Sequence, residues 1–250
     1  MRRVPDPPSR PDAAAGAADR GGSAVPSPAF AFLLTLIALP SLFWLVTLKR
    51  TTDHTIPEEW LMGSVVPPIQ DWVAQHAPPL DSILIGISGL GSGWFVAIGF
   101  GVAGLVALSR RRVDLALLLA AGALAFPIEW ALKYFTAIPE ISLGTLGNAL
   151  FNVSGVGLDD IADFPAGHAL RATVFYGLLA FCVARVTADR RTGMTAYGVA
   201  IGLIGAISLT RLYLGAHYPM DLLGGWMAGG ALLAVIVAVY ILAVDGRVRG

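Results

Sequence analysis

The sequence TRLYLGAHYPMDLLGGW, residues 210–226, places an arginine, a histidine and an aspartate between two long apolar runs. Ionisable groups are costly to bring close to a bilayer, so such groups in a hydrophobic chain indicate a functional site. Arg211 precedes the predicted turn, His217 lies in it, and Asp221 follows Pro219. The stretch therefore predicts a point where the chain turns back across a membrane and carries a polar site.

Composition places the whole chain in the membrane class. Its 250 residues are 56% hydrophobic and 14% charged, and the mean hydropathy is +0.70. A helical span needs about 20 mostly apolar residues. Six segments meet this requirement, namely 29–48, 83–108, 113–132, 169–186, 194–214 and 222–244. We expect an all-α polytopic membrane protein, a six-transmembrane-helix bundle.

The basic residues predict the orientation of this bundle. Twelve of the 17 lie before the first span, in the second-to-third and fourth-to-fifth connections, or after the last span. They are Arg2, Arg3, Arg10, Arg20, Arg110, Arg111, Arg112, Arg185, Arg190, Arg191, Arg247 and Arg249. The positive-inside rule makes this side cytoplasmic, with both termini inside. Lys133, Arg171 and Arg211 then lie near the outer face, so the site is expected on the extracytoplasmic side of the cell membrane.

The chain divides into three parts. Residues 1–28 are rich in Pro, Ala, Gly and Arg without apolar periodicity, which predicts a disordered cytoplasmic tail. Residues 29–244 form the transmembrane domain, and 245–250 a second cytoplasmic tail. The connection 49–82 contains an amphipathic, tryptophan-bearing segment that is expected to lie over the bundle at the interface.

A second histidine motif, DFPAGHALR, occupies residues 163–171. Pro165 suits the first position of a helix, where its missing N–H is not needed. The next amides, those of Ala166, Gly167 and His168, would then face outward at the positive end of the helix dipole and bind an anion. Gly167 would let a ligand approach closely. The alternative is a plain proline-initiated helix with an interfacial histidine.

The turn motif also allows two interpretations. Asp221, in the first turn of the last helix, would accept the Nδ1 proton of His217 and leave Nε2 as a nucleophile or base. The same position suits a carboxylate that only caps the helix. Arg211 lies at the outer end of the fifth predicted span. A cation suits the negative end of the helix dipole there, and its long side chain can extend to the membrane interface. The second histidine motif on the same face, together with Lys133, favours the functional interpretation.

These residues resemble the motifs of the type 2 phosphatidic acid phosphatase superfamily, which also includes glucose-6-phosphatase and the soluble vanadium haloperoxidases. The third motif, Ser-Arg, five residues, His, three residues, Asp, is matched by Thr210, Arg211, His217 and Asp221. The second, Pro-Ser-Gly-His, is matched by Pro165, Ala166, Gly167 and His168. The first, Lys, six residues, Arg-Pro, begins at Lys133 but has Glu140 in the arginine position.

The resemblance implies a role for each matching residue. His217 would attack phosphorus to form a phosphohistidine, Asp221 would orient it, and His168 would protonate the leaving oxygen. Arg211, Lys133 and the amides near Gly167 would hold the phosphoryl oxygens. These roles fit phosphoryl transfer, which depends on positioning and charge stabilisation. No metal or other cofactor is implied, and the sequence near the motifs offers no metal-binding pattern.

Two departures from the family pattern direct attention to other residues. Ala166 lacks the family's hydroxyl, and Glu140 brings a carboxylate where a guanidinium is expected. Arg171 lies three residues after His168 on the same helix face and is predicted to supply the missing guanidinium; the alternative is a carboxylate partner. Glu129, four residues before Lys133, is predicted to form a structural ion pair that holds Lys133.

The sequence therefore predicts a metal-independent hydrolase that removes a terminal phosphate from a phospholipid or an isoprenoid mono- or diphosphate. The alternative is a catalytically silent member that binds lipid phosphate or scaffolds membrane partners. A phosphotransferase is a variant of the enzyme, whereas a transporter would place its charges near the midplane. The expected partners are a lipid phosphate and the bilayer, without nucleic acid; no oligomeric state is predicted.

Overall fold

The structure is a computed structural model that describes residues 25, 27–51, 56–136, 164–187 and 189–245. Within these ranges the backbone forms helices and turns without a strand, which confirms the all-α class. The helices are α1 (Pro28–Thr51), α2 (Ile56–Trp60), α3 (Val66–His76), α4 (Pro78–Gly89), α5 (Gly93–Ser109), α6 (Val113–Gly122), α7 (Ala125–Thr136), α8 (Gly167–Val186), α9 (Arg190–Tyr213) and α10 (Pro219–Asp245). A π-helical turn, Leu61–Val65, joins α2 to α3. Most of both predicted tails lies outside the described residues.

The described residues contain four or five candidate membrane spans, and the total of six stays a prediction. Four helical segments are long and apolar enough to cross a bilayer, namely Val113–Thr136, Gly167–Val186, Arg190–Tyr213 and Pro219–Val244. The bent pair α4 and α5 is a fifth candidate if its two halves form one span. Helix α1 contains a further apolar stretch, Leu33–Trp44.

The predicted span 83–108 is not one straight helix. Its two halves, α4 and α5, meet at an angle of 53°, and the break falls in a glycine-rich stretch, residues 89–93. Ser92 caps the second half because its Oγ accepts from the amide of Phe95 over 3.3 Å. The interruption frees backbone carbonyls that a continuous helix would have used.

Helix α8 is the central helix of the bundle. It packs against α5, α6, α7, α9 and α10, and side chains along it, including Leu170, Val174 and Leu178, are fully buried. Helices on the outside of the bundle expose apolar side chains instead, such as Ile201 and Leu209 on α9. The start of α8, with its histidine motif, is therefore shielded from lipid by its neighbours.

Two glycines allow α10 to approach the backbone of α8. A Cβ at Gly225 would lie 2.6 Å from the carbonyl oxygen of Ala166, and one at Gly229 would lie 2.7 Å from that of Leu170. Glycines four residues apart give close helix contact of this kind in membranes. The starts of α8 and α10, which carry the two histidine motifs, are thereby brought side by side.

The beginning of α8 differs from the sequence prediction. The helix starts at Gly167 with Ala166 as its N-cap residue, so Pro165 precedes the helix and is not its first residue. Ala166 has extended backbone angles, and its amide donates to the carbonyl of Asp221 over 2.9 Å. This hydrogen bond keeps Ala166 in an extended conformation, so α8 begins at Gly167. Pro219 does begin α10, as predicted.

A separate polar cluster lies at the end of the bundle that is opposite to the two histidine motifs. Arg112 forms a two-pronged ion pair with Asp114 at 3.0 and 3.1 Å, and the hydroxyl of Tyr240 donates to the same carboxylate over 2.7 Å. The guanidinium of Arg185 lies 6.0 Å from the Tyr240 ring centroid. This end contains the arginine-rich connections that predict the cytoplasmic side.

Asp189 caps α9 at this end. Its carboxylate accepts from the hydroxyl of Thr192, at 2.6 Å, and from the amides of Arg191 and Thr192. These hydrogen bonds lower the pKa of the Asp189 carboxyl, that of the Thr192 hydroxyl most strongly. The ionised cap is stable at neutral pH and gives α9 a fixed starting point.

Candidate active site

The segments that carry the three predicted motifs meet at one end of the bundle. The Thr136 hydroxyl, at the end of α7, donates to the carbonyl of Phe164 over 2.8 Å. The amide of Ala166 donates to the carbonyl of Asp221 over 2.9 Å. The end of α7, the start of α8 and the start of α10 are thus directly hydrogen-bonded to one another.

This end contains an unusual number of buried ionisable side chains. Glu129, Lys133 and Asp221 have no exposed surface, His217 is 1% exposed and Arg171 is 6% exposed. Burying charged groups is costly unless they are paired and hydrogen-bonded. Their concentration at one end of an otherwise apolar bundle identifies the candidate active site.

Asp221 fixes the turn that carries His217. One carboxylate oxygen, Oδ2, accepts from the amide of Tyr218 over 2.9 Å. This is the capping geometry in which a residue of the first turn reaches back to the residue before the helix. His217 directly precedes Tyr218, so the cap holds the backbone from which the imidazole projects. That Asp221 also orients the imidazole stays a prediction.

Arg171 is held by three different parts of the chain. Its Nε donates to the carbonyl of Gly91 over 3.3 Å, at the break between α4 and α5. Its Nη1 forms an ion pair with the carboxylate of Glu129 on α7. Its Nη2 lies 3.5 Å from Nδ1 of His168. The carboxylate partner predicted as the alternative for Arg171 is thus observed, and it is Glu129. That Glu129 also pairs with Lys133 and holds it in place stays a prediction.

Gly167 makes room for this ion pair. A Cβ at this position would lie 1.8 Å from Oε1 of Glu129 and 2.8 Å from Nη1 of Arg171. No side chain fits there without displacing the carboxylate or the guanidinium. The structure shows that Gly167 makes room for the Glu129 carboxylate. That Gly167 lets a ligand approach stays a prediction.

The remaining predicted residues occupy the same end of the bundle. Lys133 lies in the last turn of α7, and Arg211, half-buried, lies in the last turn of α9. The Thr210 hydroxyl donates to the carbonyl of Ile207 over 2.6 Å, within its own helix. The amide of Ala166 donates to Asp221, so it is not the phosphate donor predicted from the sequence.

The sequence did not identify Glu58 as part of this end. Its buried carboxylate accepts from the amide of Met220 over 2.8 Å, in the first turn of α10. The side-chain amide of Gln70 donates to the carbonyl of Tyr213 over 2.5 Å. Residues 56–76 therefore dock on the turn between α9 and α10, although no pattern in the sequence singled out Glu58.

In the described ranges, no group of three or more His, Cys, Asp or Glu side chains is close enough together to bind an ion.

Within the described residues, the fold is that of a multi-pass helical membrane protein that buries ionisable side chains at one end of the bundle. The family model of the PAP2 superfamily matches residues 154–243, which include both histidine motifs. Over these residues the chain is similar to the superfamily, in agreement with the resemblance of its motifs. No match to a curated protein was found.

A solved structure has the same fold as this chain. It is the crystal structure of a transmembrane PAP2-type phosphatidylglycerolphosphate phosphatase from Bacillus subtilis. The two chains are 20% identical, the TM-score is 0.58, and the alignment covers 88% of this chain and 96% of the other. At this identity the likeness establishes a common fold.

Proposed function

We propose that this protein is a membrane phosphatase that removes the terminal phosphate of a lipid phosphate through a phosphohistidine intermediate. The observation that carries the proposal is the burial of His217 and Asp221 beside the Glu129, Lys133 and Arg171 side chains at one end of the bundle. A scaffold protein has no need of so many costly buried charges. The superfamily supports lipid phosphate hydrolysis at the level of the family.

In the proposed reaction, Nε2 of His217 attacks the terminal phosphorus while Asp221 holds Nδ1–H on the other side of the ring. His168 faces the leaving oxygen. Water then hydrolyses the phosphohistidine and releases inorganic phosphate. Covalent catalysis of this kind replaces one difficult displacement by two easier ones.

In the proposed reaction, the phosphoryl oxygens are bound by Arg211, Lys133 and the backbone amides of Gly167 and His168 at the start of α8. Amides at the start of a helix point along the positive end of its dipole and bind anions. The contacts of Arg171 favour a positioning role over the direct phosphate contact predicted from the sequence, since all three of its guanidinium nitrogens already face protein atoms.

Phosphate release from a panel of lipids tests the proposal. The purified full chain in detergent is supplied with phosphatidic acid, phosphatidylglycerol phosphate and an isoprenoid diphosphate, with a chelator present. We expect release from at least one of them, unaffected by the chelator, because the proposed groups are all side chains and amides. A folded protein that binds these lipids without releasing phosphate would support the silent alternative.

The proposed site faces the extracytoplasmic side, and cysteine labelling tests this orientation. In a Cys182→Ala background, which removes the only cysteine, Glu59→Cys reports on the site end and Arg110→Cys on the opposite end; both positions are exposed. A membrane-impermeant maleimide is expected to label position 59 in intact cells and position 110 only after permeabilisation. The reverse pattern would place the site in the cytoplasm.

A further inference from the structure

One segment of the chain caps both helices that flank the turn carrying His217. This capping segment comprises residues 56–76. The carboxylate of Glu58 accepts from the amide of Met220 over 2.8 Å, in the first turn of α10. The side-chain amide of Gln70 donates to the carbonyl of Tyr213 over 2.5 Å, at the last residue of α9. The turn between these helices, residues 214–218, is thus held from outside at both of its ends.

Glu58 supplies a cap that the chain just before α10 does not supply. The first amides of a helix lack partners within it and are usually satisfied by a short polar residue at the position before the helix. Tyr218 holds that position and is not one of these residues, and Pro219 has no amide hydrogen. Met220 therefore carries the first amide of α10. The buried Glu58 carboxylate accepts from it at the positive end of the helix dipole.

Gln70 caps the end of α9 in the corresponding way. The last carbonyls of a helix lack donors within it, and the Gln70 side chain donates to one of them. The hydroxyl of Tyr213 also donates to the carboxylate of Asp81, in the first turn of α4. Two atoms of Tyr213, the last residue of α9, are therefore fixed by residues that precede α5.

Hydrogen bonds within the turn join each half of it to its own helix. The amide of Ala216 donates to the carbonyl of Arg211 over 3.0 Å, which joins the first half to α9. The amide of Tyr218 donates to the carboxylate of Asp221 over 2.9 Å, which joins the second half to α10. His217 lies between the two halves, so its position relative to α9 depends on how the two helix ends are held.

A direct hydrogen bond between α9 and α10 lies further along both helices, away from the turn. The indole N–H of Trp226 donates to the hydroxyl of Ser208 over 2.9 Å. At the turn itself, the two helix ends are joined through the capping segment, because Glu58 and Gln70 belong to one continuous piece of chain. The capping segment therefore sets the spacing between the end of α9 and the start of α10.

We propose that Glu58 and Gln70 are positioning residues that hold His217 in line with the phosphate. This inference rests on the proposed function, in which His217 attacks a phosphoryl group that Arg211, in the last turn of α9, helps to bind. Both residues act through the helix ends. Phosphoryl transfer depends on alignment, and a displacement of about 1 Å can lower the rate about 100-fold.

Substitutions at Glu58 test the proposal in the purified full chain in mixed micelles. Glu58→Met removes the acceptor, whereas Glu58→Gln keeps an oxygen that can accept from Met220. Of phosphatidic acid, phosphatidylglycerol phosphate and an isoprenoid diphosphate, the lipid that the wild type hydrolyses fastest is used. We expect kcat to fall about 10- to 100-fold in Glu58→Met, with KM changed by no more than about threefold. Most of kcat should return in Glu58→Gln, and an equal loss in both variants would overturn the capping role.

The matched control is Glu59→Met, which removes an exposed carboxylate from the adjacent position. We expect its kcat to stay within about twofold of the wild type, as for surface substitutions in general. A loss equal to that of Glu58→Met would show that the effect comes from the charge of the segment, and this would overturn the proposal.

Hydrogen exchange measures the cap without relying on activity. Because a hydrogen bond to a carboxylate is lost, we expect the Met220 amide to exchange about tenfold faster in Glu58→Met and at the wild-type rate in Glu59→Met. Unchanged exchange in folded Glu58→Met would overturn the cap, and faster exchange with unchanged kcat would overturn its role in the reaction. If the wild type released phosphate from no lipid, the proposed function and the catalytic part of this inference would both fail, and exchange alone would decide the cap.

Gln70→Met tests the other end of the turn with a neutral, half-buried side chain, so it also serves if Glu58→Met does not fold. Loss of its hydrogen bond to Tyr213 is expected to lower kcat about fivefold with KM nearly unchanged. Gln75→Met, at an exposed position of the same helix, is the control. Equal kcat values in the two variants would contradict the role of Gln70.

Discussion

Replacing His217 by alanine is expected to lower phosphate release by about 10⁴-fold or more, the scale on which removal of a catalytic nucleophile acts in other hydrolases. The side chain is 1% exposed and is carried by a turn that the Asp221 cap holds in place. Without its Nε2 no covalent intermediate forms, and a neighbouring group cannot take over the attack. The residual rate would come from phosphate binding by the remaining cations and amides.

The measurement combines turnover with trapping of the intermediate. Rapid acid-free quenching with radiolabelled substrate should give a base-stable, acid-labile phosphoprotein in the wild type and none in His217→Ala. The matched control is His76→Ala. That imidazole is exposed and stacks on Trp72 at a centroid distance of 5.1 Å, so its loss is expected to leave turnover within about twofold, as for surface substitutions in general. Retention of turnover in His217→Ala would exclude it as the nucleophile.

Replacing Arg171 alone by methionine is expected to destabilise the protein by about 3–5 kcal/mol. The substitution removes the ion-pair partner of Glu129, whose carboxylate has no exposed surface and would be left as an isolated buried charge. It also removes the donor to the carbonyl of Gly91. The free energy of unfolding is measured by reversible denaturation in mixed micelles.

The paired variant separates the ion pair from a simple packing effect. Glu129→Met combined with Arg171→Met removes the isolated charge, so most of the lost stability is expected to return. Arg191→Met, at an exposed position, is expected to change the free energy of unfolding by no more than about 0.5 kcal/mol. If the single and paired variants were equally unstable, the loss would come from packing around Arg171 and not from the unpaired carboxylate.

Hydropathy was sufficient to locate most of the membrane helices, because an apolar stretch of spanning length rarely forms any structure other than a membrane helix. It did not locate the break between α4 and α5. A hydropathy window averages over about 20 residues. The five residues 89–93, Gly-Leu-Gly-Ser-Gly, are too few to interrupt the apolar average. The glycines in that stretch were the available signal.

The sequence predicted which residues belong to the candidate site better than it predicted the contacts between them. Motif spacing brought forward His168, His217 and Asp221, all of which lie at the same end of the bundle. The sequence also showed that Glu129 and Arg171 each needed a partner. That they partner each other depends on how α7 packs against α8, and no pattern within either helix contains that information.

The close contact of α8 with α10 has a consequence for the membrane in which the protein works. Bilayers differ in thickness, and helices respond to a mismatch by tilting. The contacts at Gly225 and Gly229 join the two backbones so closely that α8 and α10 must tilt as one body. The two histidine motifs then move together, so the distance between them does not change with bilayer thickness.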